Sequence, residues 1–184
     1  MGMTKSVFGK TSNGEVVHLV TVSNEKGMSM EVLDYGATLV SVNVPDKDGH
    51  TEDVALGYDD VLDYEKGTAY LGASIGRCGN RVDHAEFSIN GKEYFMEKNE
   101  GENVCHSGPR CYSRRMWDME LLEEENSVRF HLVSPNMDQG FPGTFEVTVT
   151  YTLTEENDLK IHYHGTCDQD SMVNMTNHSY FNLH

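Results

Sequence analysis

Apolar and β-branched residues recur at every second position along much of this chain, and that period of two puts them on one face of an extended strand. Residues 16–22, 28–33 and 38–44 read this way, with Gly, Asn or Pro nearby. Residues 45–49, Pro-Asp-Lys-Asp-Gly, carry turn chemistry, so 51–56 are expected as the returning strand. The clearest hairpin is 86–95, where Asn90-Gly91 accepts two positive φ angles and reverses the strands with the right twist. Further strands are expected at 127–133, 145–154, 159–166 and from 172 to 176, with a polar turn at 154–158. A single short helix is expected at 58–65. Short strands at regular spacing predict an all-β fold, a β-sandwich or barrel. No repeat, low-complexity tract or linker divides it, so residues 1–184 are expected to form a single domain.

Charge narrows the partners. Thirty acidic against fourteen basic residues give a net charge of −16. Such a surface repels phosphate backbones, and Arg114-Arg115 is the only basic doublet, so no nucleic-acid partner is expected. No apolar run approaches the ~18 residues of a membrane-spanning helix, so no membrane partner is expected either. Residues 1–10 lack the basic start and apolar stretch of a secretory leader. Cys78, Cys105, Cys111 and Cys167 form no C-x-x-C pair, and free thiols in a cytoplasmic protein are the expectation.

Four segments carry side chains that could do chemistry. His162 and His164 form H-x-H on an expected strand and so share a face, as in cupin-like metal sites. No Glu nearby completes a triad, and alternating polar residues on a wet face explain the pair better, so no metal is assigned. Residues 76–81, Gly-Arg-Cys-Gly-Asn-Arg, lack the Gly-Lys-Ser/Thr ending of a phosphate loop. Their two arginines either present forks to hydroxyl or carboxylate oxygens or anchor loop carbonyls. Residues 99–108 form a polar loop that places His106 among small neighbours. Residues 176–183 set His178 among amides and aromatics, an environment suited to carbohydrate and to a general acid near neutral pH. His18, His50, His84 and His131 have nothing in their sequence surroundings to activate them and are expected on the surface or in packing.

Three of these segments together resemble the aldose 1-epimerase (galactose mutarotase) family: 75–82, Ile-Gly-Arg-Cys-Gly-Asn-Arg-Val; 103–108, Asn-Val-Cys-His-Ser-Gly; and 176–183, Thr-Asn-His-Ser-Tyr-Phe-Asn-Leu. Residues 33–39, 54–58, 138–143 and 151–153 agree with the same family, so the similarity runs in order along almost the whole chain. The resemblance implies a β-supersandwich and interconversion of the α and β anomers of free aldoses such as galactose and glucose, without a cofactor. It implies that His178 is the general acid that protonates the ring oxygen and that His106 steadies charge beside it. Asn80 and Arg81 would hold sugar hydroxyls, and Ser179 and Tyr180 would line the same site.

Two departures stand out. The family's Leu-His-Gly-Gly is here Cys105-His106-Ser107-Gly108. Family chains also continue well past the His178 motif, and their general base, a Glu, lies in that later portion. The chain is therefore expected to be the N-terminal part of a mutarotase domain, impaired on its own and open to self-association through a truncated edge. A carbohydrate-binding module without catalysis and a hexose 6-phosphate epimerase of the same fold remain alternatives.

Overall fold

A computed structural model describes residues 2–183. Strands β1 (Gly2–Lys10), β2 (Val16–Ser23), β3 (Ser29–Leu33), β4 (Thr38–Pro45) and β5 (Thr51–Asp53) form an antiparallel sheet in chain order. Helix α1 (Val61–Lys66) follows, with the Asp60 carboxylate accepting from the Leu62 N–H at 2.7 Å and capping its first turn. Short strands come next: β6 (Ser74–Ile75), β7 (Arg81–Val82), the hairpin β8 (Glu86–Ile89) and β9 (Lys92–Phe95), and β10 (Val104–Cys105). A second antiparallel sheet holds β11 (Asp118–Leu122), β12 (Ser127–Ser134), β13 (Phe145–Leu153) and β14 (Leu159–Cys167), again in chain order. Strand β15 (Thr176–Asn177) pairs back with β6. No described helix is long and apolar enough to cross a membrane.

The period of two becomes burial. Along β13 the residues alternate between the interior and the outer face, with Phe145, Val147, Val149, Tyr151 and Leu153 inward. They meet Val20, Val22, Met30, Val32 and Leu39 of the first sheet in one apolar cluster. Burying each such side chain contributes about 1.5–3 kcal/mol. The Tyr151 hydroxyl ends inside this cluster and is satisfied: it donates to the Ala37 carbonyl at 2.7 Å and accepts from Asn177 Nδ2 at 3.1 Å. It thereby ties the second sheet both to the turn between β3 and β4 and to β15.

The expected strands are present with three differences. Strand β5 stops at Asp53, because the Asp53 carboxylate accepts from the N–H groups of Val42 and Ala55 at 2.9 and 3.0 Å and turns the chain out of the ladder. Of the stretch 172–176 only Thr176 lies in a strand, although Asn174 makes one bridge to Cys78. Strands β1 and β11 and the two-residue strands β6, β7 and β10 were not expected. Most of β1 is exposed, as its polar sequence requires, yet it pairs with β2 at the edge of the sheet. The hairpin at Asn90-Gly91 has the required φ values of 53° and 77°. Met1 and His184, the first and last residues of the expected domain, lie outside the described residues.

Candidate active site

Residues 72–82 form the backbone on which the site is assembled. At one end β6 pairs with β15, setting Thr176 opposite Ile75 and Asn177 opposite Ser74. His178 comes next, and its N–H donates to the Ala73 carbonyl at 2.9 Å while its own carbonyl accepts from Gly72 at 3.2 Å. The Gly72 carbonyl accepts from Asn177 Nδ2 at 2.8 Å and from the Leu39 N–H at 2.9 Å. Only glycine fits here: its φ is 64°, and a Cβ would sit 1.7 Å from the Leu39 carbonyl oxygen.

At the other end β7 pairs with β10, so Cys105 lies opposite Arg81 and His106 follows. Four hydrogen bonds fix this corner. The Ser107 hydroxyl accepts from the Cys78 N–H and donates to the Cys78 carbonyl, both at 2.8 Å. The His106 N–H donates to the Asn80 carbonyl and the Asn80 N–H donates to His106 Nδ1, both at 3.0 Å. Ser107 is thus the buried clasp of the loop. Asn80, His106 and Ser107 all have left-handed backbones, with φ of 65°, 54° and 67°. Such conformations persist only where surrounding bonds dictate them.

The two ends converge. The imidazole centroids of His106 and His178 lie 5.1 Å apart at an interplanar angle of 84°. Both line a cleft of about 640 Å³, large enough for a hexose. Asn80, Arg81, Ser179 and Tyr180 line it too, so all six residues singled out in the sequence share one cavity. Tyr180 packs on His178 with ring centroids 5.3 Å apart. Asn174 and Met175 also line the cleft and had no sequence signal beyond preceding the His178 motif.

The two arginines of residues 76–81 have separate fates. Arg77 is fully buried and anchors loops. Its Nη1 donates to the carbonyls of Pro142 and Gly143 at 2.8 and 3.1 Å and to the Ser171 hydroxyl at 3.0 Å. Its Nη2 donates to the carbonyl and hydroxyl of Ser134 at 3.2 and 2.9 Å. The rings of Phe141 and Phe145 lie 5.5 and 5.3 Å from the guanidinium carbon. Arg81 faces the cleft instead, and Glu100 holds it: Nε and Nη2 donate to the two carboxylate oxygens at 2.5 and 2.6 Å. Glu100 lies in the polar loop noted in the sequence but was not singled out there.

Electrostatics favour a neutral His106. Burial lowers its pKa from the ordinary 6.5, the neighbouring His178 and Arg81 lower it further, and Glu100 opposes them. Since Nδ1 accepts from Asn80, the proton of the neutral ring sits on Nε2, which is a donor. Burial, reinforced by Glu100, pushes the Cys105 thiol up, and Arg81 opposes this. No Asp or Glu lines the cleft among the described residues.

The remaining histidines lie elsewhere. His162 and His164 are exposed on one face of β14, and no group of three or more metal-ligating side chains is formed among the described residues. His18 lies in packing as expected, but has a partner its sequence surroundings did not show: its Nδ1 lies 2.7 Å from the buried Asp34 carboxylate. The register of β2 on β3, with Leu19 opposite Leu33, brings the two together, which a separation of sixteen residues does not reveal. His50 and His84 are exposed beside Asp46 and Asp83.

The sequence model of the aldose 1-epimerase family matches residues 18–184. The aldose 1-epimerase of Haemophilus influenzae is 44% identical over 171 residues, which are 93% of this chain and 49% of that protein. The galactose mutarotase of Sus scrofa is 35% identical over 184 residues, all of this chain and 53% of that protein. Among solved structures, galactose 1-epimerase from Lactobacillus acidophilus superposes with a TM-score of 0.87 at 28% identity, covering 100% of this chain and 54% of that one. The chain therefore spans about half the length of these relatives, and its β-sandwich is of the galactose mutarotase type.

Proposed function

This chain belongs to the aldose 1-epimerase family, and on that premise we propose that its cleft binds a free hexose and serves the exchange of its α and β anomers. One observation carries the reading. Two imidazoles from distant segments, one a neutral Nε2–H donor, meet edge to face in a sugar-sized cleft beside Asn80 and Arg81.

The chemistry follows from proton placement. A base takes the proton of the anomeric hydroxyl, and that O–H electron pair becomes the C1=O π bond. The bond from C1 to the ring oxygen breaks, and its electron pair stays on that oxygen, which takes a proton from His178. His106 donates from Nε2 and steadies charge on the same oxygen. Rotation about C1–C2 and the reverse steps close the other anomer. Nothing is oxidised or reduced, and the protons balance. Asn80 and Arg81 hold hydroxyls, while Ser179 and Tyr180 complete the wall.

No Asp or Glu that could act as the base stands among the described cleft-lining residues, and nearby Glu100 is engaged by Arg81. The described cleft residues therefore supply the acid side of the reaction. Positioned acid–base groups each give about 100- to 10,000-fold. That gap also supports a second reading, hexose binding without catalysis. A phosphorylated hexose is the weaker alternative, because two donors of the Arg81 fork are already paired with Glu100. Polarimetry on freshly dissolved α-D-galactose tests the proposal: the chain should speed anomer exchange weakly, and His178→Ala should remove what it adds. A rate unchanged by His178→Ala would reject His178 as the acid.

The wider setting is read the same way. One apolar cluster shared by both large sheets supports residues 1–184 as a single β-sandwich domain, the N-terminal part of a family domain. Four unpaired cysteines support a reducing, cytoplasmic location. The outer edge of β14 has no partner strand among the described residues, which supports self-association there. The charge of −16 opposes it at low ionic strength, so sedimentation should show association growing with salt.

A further inference from the structure

Tyr70 stands behind the two imidazoles. Its ring centroid lies 5.0 Å from that of His106 and 5.6 Å from that of His178, with interplanar angles of 67° and 42°. Among the described residues it is the one aromatic ring in contact with both. It is absent from the lining of the cleft, and burial pushes its phenol above the ordinary value of 10.0.

Its backbone is as telling as its ring. Tyr70 has a φ of 55°, uncommon for a bulky side chain. The turn that follows closes with the Ala73 N–H on the Tyr70 carbonyl at 3.1 Å. That same turn presents Gly72 and Ala73 to the backbone of His178. His106 belongs to a different corner, clasped to residues 78–80. The strained turn thus holds the His178 backbone by its main chain and meets both imidazoles with the Tyr70 ring.

We propose that Tyr70 is a positioning residue for anomer exchange, its ring fixing His106 and His178 in their edge-to-face arrangement so that both meet one pyranose oxygen from set directions. The assignment rests on the cleft being a hexose site. An imidazole rotates broadly about its second side-chain torsion unless neighbours restrict it. Aromatic edge contacts provide that restriction, and a misplacement of about 1 Å at a catalytic group costs about 100-fold in rate.

Nuclear magnetic resonance of the 184-residue chain tests this without requiring turnover. The wild type should show cross-peaks from the Tyr70 ring to the imidazole protons of both histidines. Tyr70→Phe should keep both imidazole titrations and the affinity for α-D-galactose. Tyr70→Leu should shift and broaden both imidazole signals and weaken galactose binding about tenfold, while amides of the two large sheets stay in place. Imidazole signals unmoved by Tyr70→Leu overturn the proposal. So does Tyr70→Phe moving them, since the hydroxyl and not the ring would then be responsible. If Tyr70→Leu does not fold, the wild-type cross-peaks and Tyr70→Phe decide, and a missing cross-peak to either histidine rejects it. A wild type that shows the cross-peaks but no response to galactose or glucose rejects the hexose reading and leaves the hold of Tyr70 on both rings intact.

Discussion

The backbone N–H of Asn80 donates to Nδ1 of His106 across 3.0 Å, so the neutral ring of His106 carries its proton on Nε2. A main-chain N–H has no other role to play, so this tautomer is fixed by the fold and not by the substrate.

His106 should therefore titrate below 6.5, the direction set by burial and then by His178 and Arg81. Between its folded midpoint and 6.5 the unfolded chain binds more protons than the folded one. The associated stability is present above 6.5 and is lost as the pH falls toward the folded midpoint. An imidazole titration followed by resonance, with a midpoint at or above 6.5, would refute this.

Glu100→Gln removes the carboxylate that grips Arg81 and the negative charge that opposes the lowering at His106. The midpoint of His106 should move further down, and Arg81 should become free for hydroxyls. Both groups are exposed, so the melting temperature should barely change. A large fall in melting temperature with an unmoved His106 would mean that Glu100 is only a structural brace.

Arg77→Lys keeps a positive charge but loses the fork that reaches Ser134, Pro142, Gly143 and Ser171. Several buried carbonyls and hydroxyls are left without donors, at about 1–3 kcal/mol each. The urea midpoint should fall by an amount equivalent to ~3 kcal/mol or more, with an unchanged slope. A near-wild-type midpoint would show that water replaces the fork.

Period-two alternation made β2, β3, β12, β13 and β14 legible, because one face of each is the more buried and the sequence must show it; β4 was legible from its β-branched and apolar residues, although Thr38 to Val42 are buried on both faces. Strand β1 was not legible, since an exposed edge strand needs no apolar face. Strand β11 was hidden because only Met119 and Leu121 pack on the core, between acidic residues that read as a loop. His106, His178, Asn80 and Arg81 were found through short motifs, and the structure adds how residues 72–82 bring them together. Tyr70 carried no motif, and its importance comes from contacts across distant segments. Glu100 could have been found, as an acid in the same loop as His106 with a cleft arginine to satisfy.

The carbonyl of Gly72 receives bonds from β4 and from the Asn177 side chain, while its N–H holds His178. The wall of the cleft is thereby continuous with the first sheet and cannot fray as an independent flap. Protons on the Gly72 and His178 amides should exchange with deuterium on the timescale of whole-molecule opening, and a ligand must enter a mouth that is already formed.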